Sequence, residues 1–266
     1  MSPLLCCLKK DVVEFFRNKK NVLINGIIVA TIAMVLGTTL LFPTLIEQVV
    51  ERTPDLISDG SQIDNLMRKL FPQDVKGSMG IWSADAIIFL TIAITLICCN
   101  LIPEEIKSGK WILVIQAGYE QKVLLKSKML AYGLCTALPS WIGYFVYFQL
   151  SKLFINNNYS LKVAICNATI FSIAVFSIVV LSVMLSLICR GYITAVITII
   201  TSVVAAPDIL TVFSFGRYFP TYILTFLYNS SDCYYQLVFP IFNLTVLIFL
   251  LYIVANKKIV KIDIAR

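Results

Sequence analysis

LKVAICNATIFSIAVFSIVVLSVMLSLI, residues 161–188, carries no charged side chain after Lys162 and no alternation of polar and apolar positions. Its apolar residues would point to every side of any regular element, so it suits neither an amphipathic surface helix nor a half-buried strand. At 28 residues it exceeds the roughly 20 that an α-helix needs to cross about 30 Å of hydrocarbon. The stretch reads as a membrane span, and that reading decides the class of the chain.

Working outward, INNNYS at 155–160 is a tight return from an earlier apolar run, about Met129 to Phe154. After Arg190-Gly191-Tyr192 a further run extends from Ile193 to about Pro207. Similar runs occupy about Leu23–Ile46, about Ile81–Ile102 (ending at Pro103) and about Leu237–Val254. The expectation is an all-α, polytopic membrane protein with six transmembrane helices. Composition agrees: 59% of the 266 residues are apolar and 14% charged, with a mean hydropathy of +0.86, against about 45–50% and 25% in soluble domains. A transmembrane β-barrel is excluded, since its strands would alternate apolar and polar over about ten residues.

The connecting pieces are not uniform. Residues 1–22 read as an amphipathic interfacial helix, with Leu5, Leu8, Val12 and Phe15 or Phe16 on one face and Lys10, Glu14 and Arg17 on another. The rest, 23–266, reads as a single six-helix transmembrane domain. In its outer loop, 47–80, a short amphipathic helix is expected from Ser61 to Phe71, stopped by Pro72. Residues 208–236 are aromatic and apolar yet broken by Gly216 and Pro220, which fits re-entrant helices before the last span carrying Tyr218, Tyr222 and Phe226 on one face.

Lysine and arginine bias cytoplasmic loops. With six spans, fifteen of the 22 lie in the N-terminus, the 103–128 loop, the Arg190 turn and the C-terminal tail, leaving seven outside. The corresponding net charges are +9 and −2, so both termini are expected in the cytoplasm. Richness in Ile, Lys and Asn suggests an AT-rich bacterial genome and hence a bacterial cell membrane.

Absences narrow the chemistry. The chain has no histidine and no GxxxxGK[ST] phosphate loop, so neither an imidazole base nor a self-held nucleotide is expected. Its eight cysteines include no CxxC pair, and neither disulfides nor a metal site is expected. Acidic residues are missing from mid-span: Asp85 and Asp208 lie near the outer surface, and Asn25, Asn100, Gln149, Asn167 and Asn243 read as helix-to-helix hydrogen bonders. An ion-coupled carrier is therefore disfavoured. Thr194, Thr198, Thr201 and Ser202 form a small polar stripe on the fifth span, suited to a seam between chains or a translocation path.

The loop at 103–128 is too patterned for a connector. From Glu105 it reads EIKSGKWILVIQAGYEQKVLLKSKML. Its order and spacing resemble the membrane subunits of the ABC type-2 permease family, where a Glu is followed four residues on by Gly, then an apolar helix, a Pro about thirteen on, and Gly-Lys at the head of the third span. Here those places hold Glu105 (beside Glu104), Gly109, the run Trp111–Ile115, Gly118 in place of Pro, and Ser127-Lys128 in place of Gly-Lys. The resemblance extends to the amphipathic N-terminal helix, six spans and a broken segment before the last.

The resemblance implies that the loop is a coupling helix docking in a separate ATP-binding subunit, with Glu104, Glu105, Gly109, Trp111, Gly118 and Lys128 at that junction. It implies a permease subunit of an exporter for a hydrophobic or amphipathic peptide, lipid or drug. Two ATPase subunits would hold the ATP and Mg, a second permease chain would complete the path, and this chain would itself bind no cofactor, catalyse nothing and touch lipid but no nucleic acid. Two other readings compete. A prenyl-endopeptidase-type protease would use Glu104-Glu105 but needs histidines. A non-transporting immunity or sensor protein would bind a peptide at the outer face.

Overall fold

The computed structural model describes residues 2–52, 74–155, 159–189, 193, 197, 222–229 and 234–264. Helix α1, Pro3–Arg17, starts on Pro3, whose missing N–H is among those a helix start leaves unbonded anyway. It ends at Asn18, and Lys19 takes a left-handed backbone (φ 55°) that turns the chain into α2, Lys20–Arg52. Asp74 caps α3, Val75–Cys98, accepting the Gly77 N–H at 3.0 Å. Two seven-residue helices follow, α4 (Leu101–Lys107) and α5 (Lys110–Gln116). The long helices α6 (Gln121–Phe154) and α7 (Leu161–Ile188) run antiparallel. After α8, Tyr222–Asn229, a 3₁₀ turn at Tyr234–Leu237 leads into α9, Val238–Ile264.

Among the described residues the chain is all helix, and five stretches are long and apolar enough to cross a membrane: Lys20–Leu41, Val75–Lys107, Gln121–Phe154, Leu161–Ile188 and Tyr234–Ile259. These correspond to the expected first, second, third, fourth and sixth spans. The fifth lies outside the described residues apart from Ile193 and Ile197, as do Thr194, Thr198, Thr201, Ser202 and Tyr218. So does the expected amphipathic helix of the outer loop.

Between lipid-solvated helices there is little hydrophobic drive, and association depends on close packing and hydrogen bonds. Gly133 of α6 lies against the Phe176 ring of α7, and Gly143 of α6 against Ile28 of α2, each where a Cβ would collide. At one end of the bundle, Trp82 of α3 stacks on Tyr147 (ring centroids 5.1 Å apart, 13° between planes) and meets the edge of Tyr144 at 5.6 Å. Ser78 Oγ and Tyr147 OH share a 2.5 Å hydrogen bond there, and Asn167 bonds Tyr159 and Tyr234. Helix α8 buries Ile223, Phe226 and Leu227 nearby, against α3 and α7.

At the other end, α1 joins the start of α6, Lys20 donates to Tyr132 OH at 3.0 Å, and Lys258 near the end of α9 caps α7 by donating to the Ile188 carbonyl. Helix α1 and the end of α9 thus lie at the same end of the bundle, the one that also holds the 103–128 loop.

Several expectations need adjusting. The face that α1 buries is Cys7, Asp11 and Phe15, with Leu5 and Phe16 exposed, because the helix packs on α6 rather than resting its whole apolar side on lipid. Helix α6 begins eight residues before Met129, and α2 runs on to Arg52. Asn167 is buried but bonds Tyr159 in the turn before α7 and Tyr234 of the 3₁₀ turn rather than another long helix, whereas Asn100 flanks the break between α3 and α4, and Asn25 and Gln149 are exposed.

Candidate functional site

The α3–α4 break sets the loop's direction. After Asn100 the chain re-forms a helix that buries Leu101, Ile102 and Glu105 on one side. Gly109, at φ 74°, ends α4 and starts α5 in a conformation that a side chain would strain. Gly118, at φ 86°, ends α5: its N–H bonds the Ile115 carbonyl at 2.9 Å while the Tyr119 N–H bonds Val114 at 3.3 Å. That pair of bonds is a Schellman closure, which requires a left-handed residue at this place.

Helix α5 turns Trp111 inward, and its indole N–H donates to Glu105 Oε2 at 2.8 Å. Glu105 Oε1 accepts from Lys128 Nζ at 2.6 Å, and Lys128 also donates to Asp11 Oδ1 at 3.1 Å. Ser127 Oγ donates to Asp11 Oδ2. Each of the four carboxylate oxygens therefore has a donor, and Lys128, with no exposed surface, holds two carboxylates at once. Buried ions at that density persist only when their remaining hydrogen-bonding positions are filled, as here.

The packing continues one turn further. Phe15, four residues after Asp11, meets the edge of Tyr132, four after Lys128, with ring centroids 5.3 Å apart. On the outer side Lys110 Nζ pairs with Glu14 at 3.0 Å, so α1 grips α5 directly as well as through α6. Burial pushes the Glu14 carboxyl up, but the Lys110 hydrogen bond and the charges of Lys128, Lys110 and Lys10 outweigh it, leaving the group below its ordinary value. Burial, with the Asp11 charge added, raises the Cys7 thiol. Ligand oxygens of Asp11, Glu14 and Glu105 lie within 4.8 Å of one another, the spacing of a cation site. The Lys128 ammonium already serves two of them, so the cluster supplies its own cation.

Of the six residues that the sequence marks here, the structure ties Glu105, Trp111 and Lys128 into one network and sets Gly109 and Gly118 as the bends bounding α5. Glu104 is exposed and outside the network. The residue that sequence reasoning missed is Asp11; its signal is the spacing of four from Cys7 to Asp11 to Phe15. On the far side of α5 from Trp111, Ile112 and Leu113 face outward, Leu113 at 67% exposure. Lys107, Lys110 and Lys122 surround them in sequence.

At the opposite end of the bundle Tyr222 and Phe226 share a face of α8, with Phe226 buried and Tyr222 OH donating to Gln236 at 3.1 Å. No protein-family model, curated protein or solved structure matches this chain.

Proposed function

We propose that this chain is the membrane-spanning permease subunit of an ABC transporter, with α5 as the helix that a separate ATPase subunit grips. The observation that carries the reading is the two-sidedness of α5. One side is locked through Trp111 and Glu105 to Lys128 of α6 and Asp11 of α1, while the other presents Ile112 and Leu113 to whatever lies beyond the bundle. A short helix rigidly tied to a spanning helix and bare outside is suited to passing rigid-body motion into that span. With no phosphate loop or histidine in the chain, the energy must come from a partner. The assembly is a pair of permease chains with two ATPases in a bacterial cell membrane, both termini cytoplasmic. The cargo is hydrophobic or amphipathic, exported along a seam that includes Thr194, Thr198, Thr201 and Ser202, with re-entrant helices bearing Tyr218, Tyr222 and Phe226 at the outer end.

The test is co-expression with P-loop ATPases from the same genome, affinity purification of this chain, and ATPase assay in vesicles. A co-purifying ATPase that loses association with L113E, while the L113E chain keeps the parent's melting temperature, supports the reading. A chain recovered without any ATPase, or cargo movement undiminished without one, overturns it and leaves the peptide-binding sensor as the better account.

A further inference from the structure

We infer that the crease between α6 and α9, at the end of the bundle that holds the 103–128 loop, binds the headgroup of one anionic phospholipid. Lys122, Lys126, Leu130, Leu134 and Leu138 are all exposed and follow one another at intervals of four along α6. Steps of four wind slowly round the helix, so these side chains form an inclined ridge, cationic for its first turns and apolar for the next three, on which a phosphate and the acyl chains below it could lie. Across the crease, the Lys126 ammonium lies 5.8 Å from the centre of the Tyr252 ring of α9. One turn beyond Tyr252, Asn256 keeps a buried side-chain oxygen with no donor among the described residues. Helix α7 packs against both α6 and α9 and closes the back of the crease, and the Lys258 bond to Ile188 holds the end of α9 on α7.

Charge decides the occupant. Lys110 and Lys128 at the same end are each paired with a carboxylate, whereas neither Lys122 nor Lys126 has an ion-pair partner among the described residues. Two uncompensated ammonium groups where an apolar stripe begins attract anionic lipid, at about 1 kcal/mol for each lysine near a membrane surface. A soluble phosphate would make use of the lysines but leave the leucine stripe idle. The inference needs the long helices to cross a membrane, and it is independent of whether an ATPase docks on α5.

Native mass spectrometry of the purified full chain in a mild non-ionic detergent, titrated with phosphatidylglycerol, tests this. Phosphatidylcholine with the same acyl chains and glycerol phosphate without chains serve as comparisons. The expected result is one phosphatidylglycerol retained in preference to phosphatidylcholine, with affinity reduced about 25-fold in K122Q/K126Q. K122R/K126R should bind like the parent, and so should K9Q/K19Q, which removes two lysines elsewhere at the same end. Should the double variant fail to fold, K126Q alone reads about a fivefold loss. Equal retention of phosphatidylcholine, undiminished binding to K122Q/K126Q, or competition by glycerol phosphate at lipid concentrations would each overturn the proposal.

Discussion

Lys128 is the side chain on which the end of the bundle turns. Its ammonium is removed from solvent and compensated by carboxylates from two other helices, so removing either partner leaves charge stranded. Breaking such a pair costs about 3–5 kcal/mol, while replacing the whole set with apolar groups of similar shape is close to neutral. K128M is therefore expected to lower the melting temperature sharply, and D11L/E105L/K128M to recover much of the loss; differential scanning fluorimetry in detergent reads both. The outer pair behaves differently because it is half open to water. Glu14 sits below its ordinary value of 4.5, so the stability it contributes is complete above that range and fades as pH falls through its lowered folded value. The gap between the melting curves of the parent and E14Q should stay constant from pH 7 to 5 and narrow as pH falls below 4.5; a gap unchanged through pH 3 would mean the Glu14 charge contributes nothing.

Elements depend on positions where a side chain has no room or the wrong hand. Gly133→Ala would push Phe176 out of its place between α6 and α7, an overpacking cost of about 1–3 kcal/mol read as a lower melting temperature. Gly118→Ala should cost about 1 kcal/mol for its left-handed backbone. Gly118→Pro should cost more, since it also removes the N–H that bonds Ile115 and cannot reach a positive φ.

How far the sequence could be read also shows at the level of elements. The bounds of α7, Leu161–Ile188, were legible because the apolar run is flanked by a turn and by Arg190. The start of α6 was not, because Lys122, Lys126 and Lys128 interrupt hydropathy while leaving helical geometry untouched. Glu105, Trp111 and Lys128 were marked by the resemblance of the 103–128 loop to that of ABC type-2 permeases. Asp11 was not, since a carboxylate on an amphipathic helix looks like solvent-facing charge until its partner 117 residues away is known.

For the whole molecule the charge distribution and the geometry make a joint prediction. The residues grouped at one end, including Lys10, Leu113 and Lys257, should share one side of the membrane, and Ser160 at the head of α7 should lie on the other. Single cysteines at these positions in a cysteine-free background, probed with an impermeant maleimide in intact cells, should react only at position 160 until the cells are opened. Labelling at 113 from outside would invert the orientation. The length of α6 supports the arrangement: 34 residues make a rod of about 51 Å, longer than the roughly 30 Å of hydrocarbon, so it must project beyond the lipid core.

The buried junction of Asp11 with Lys128 also constrains how the protein is made. A ribosome adding about 5–20 residues per second reaches Lys128 some 6–23 seconds after Asp11. Throughout that interval the nascent N-terminal helix must idle with its carboxylate hydrated. Only when the third spanning segment is threaded can the carboxylate be withdrawn from water, so closure of this end waits on that segment.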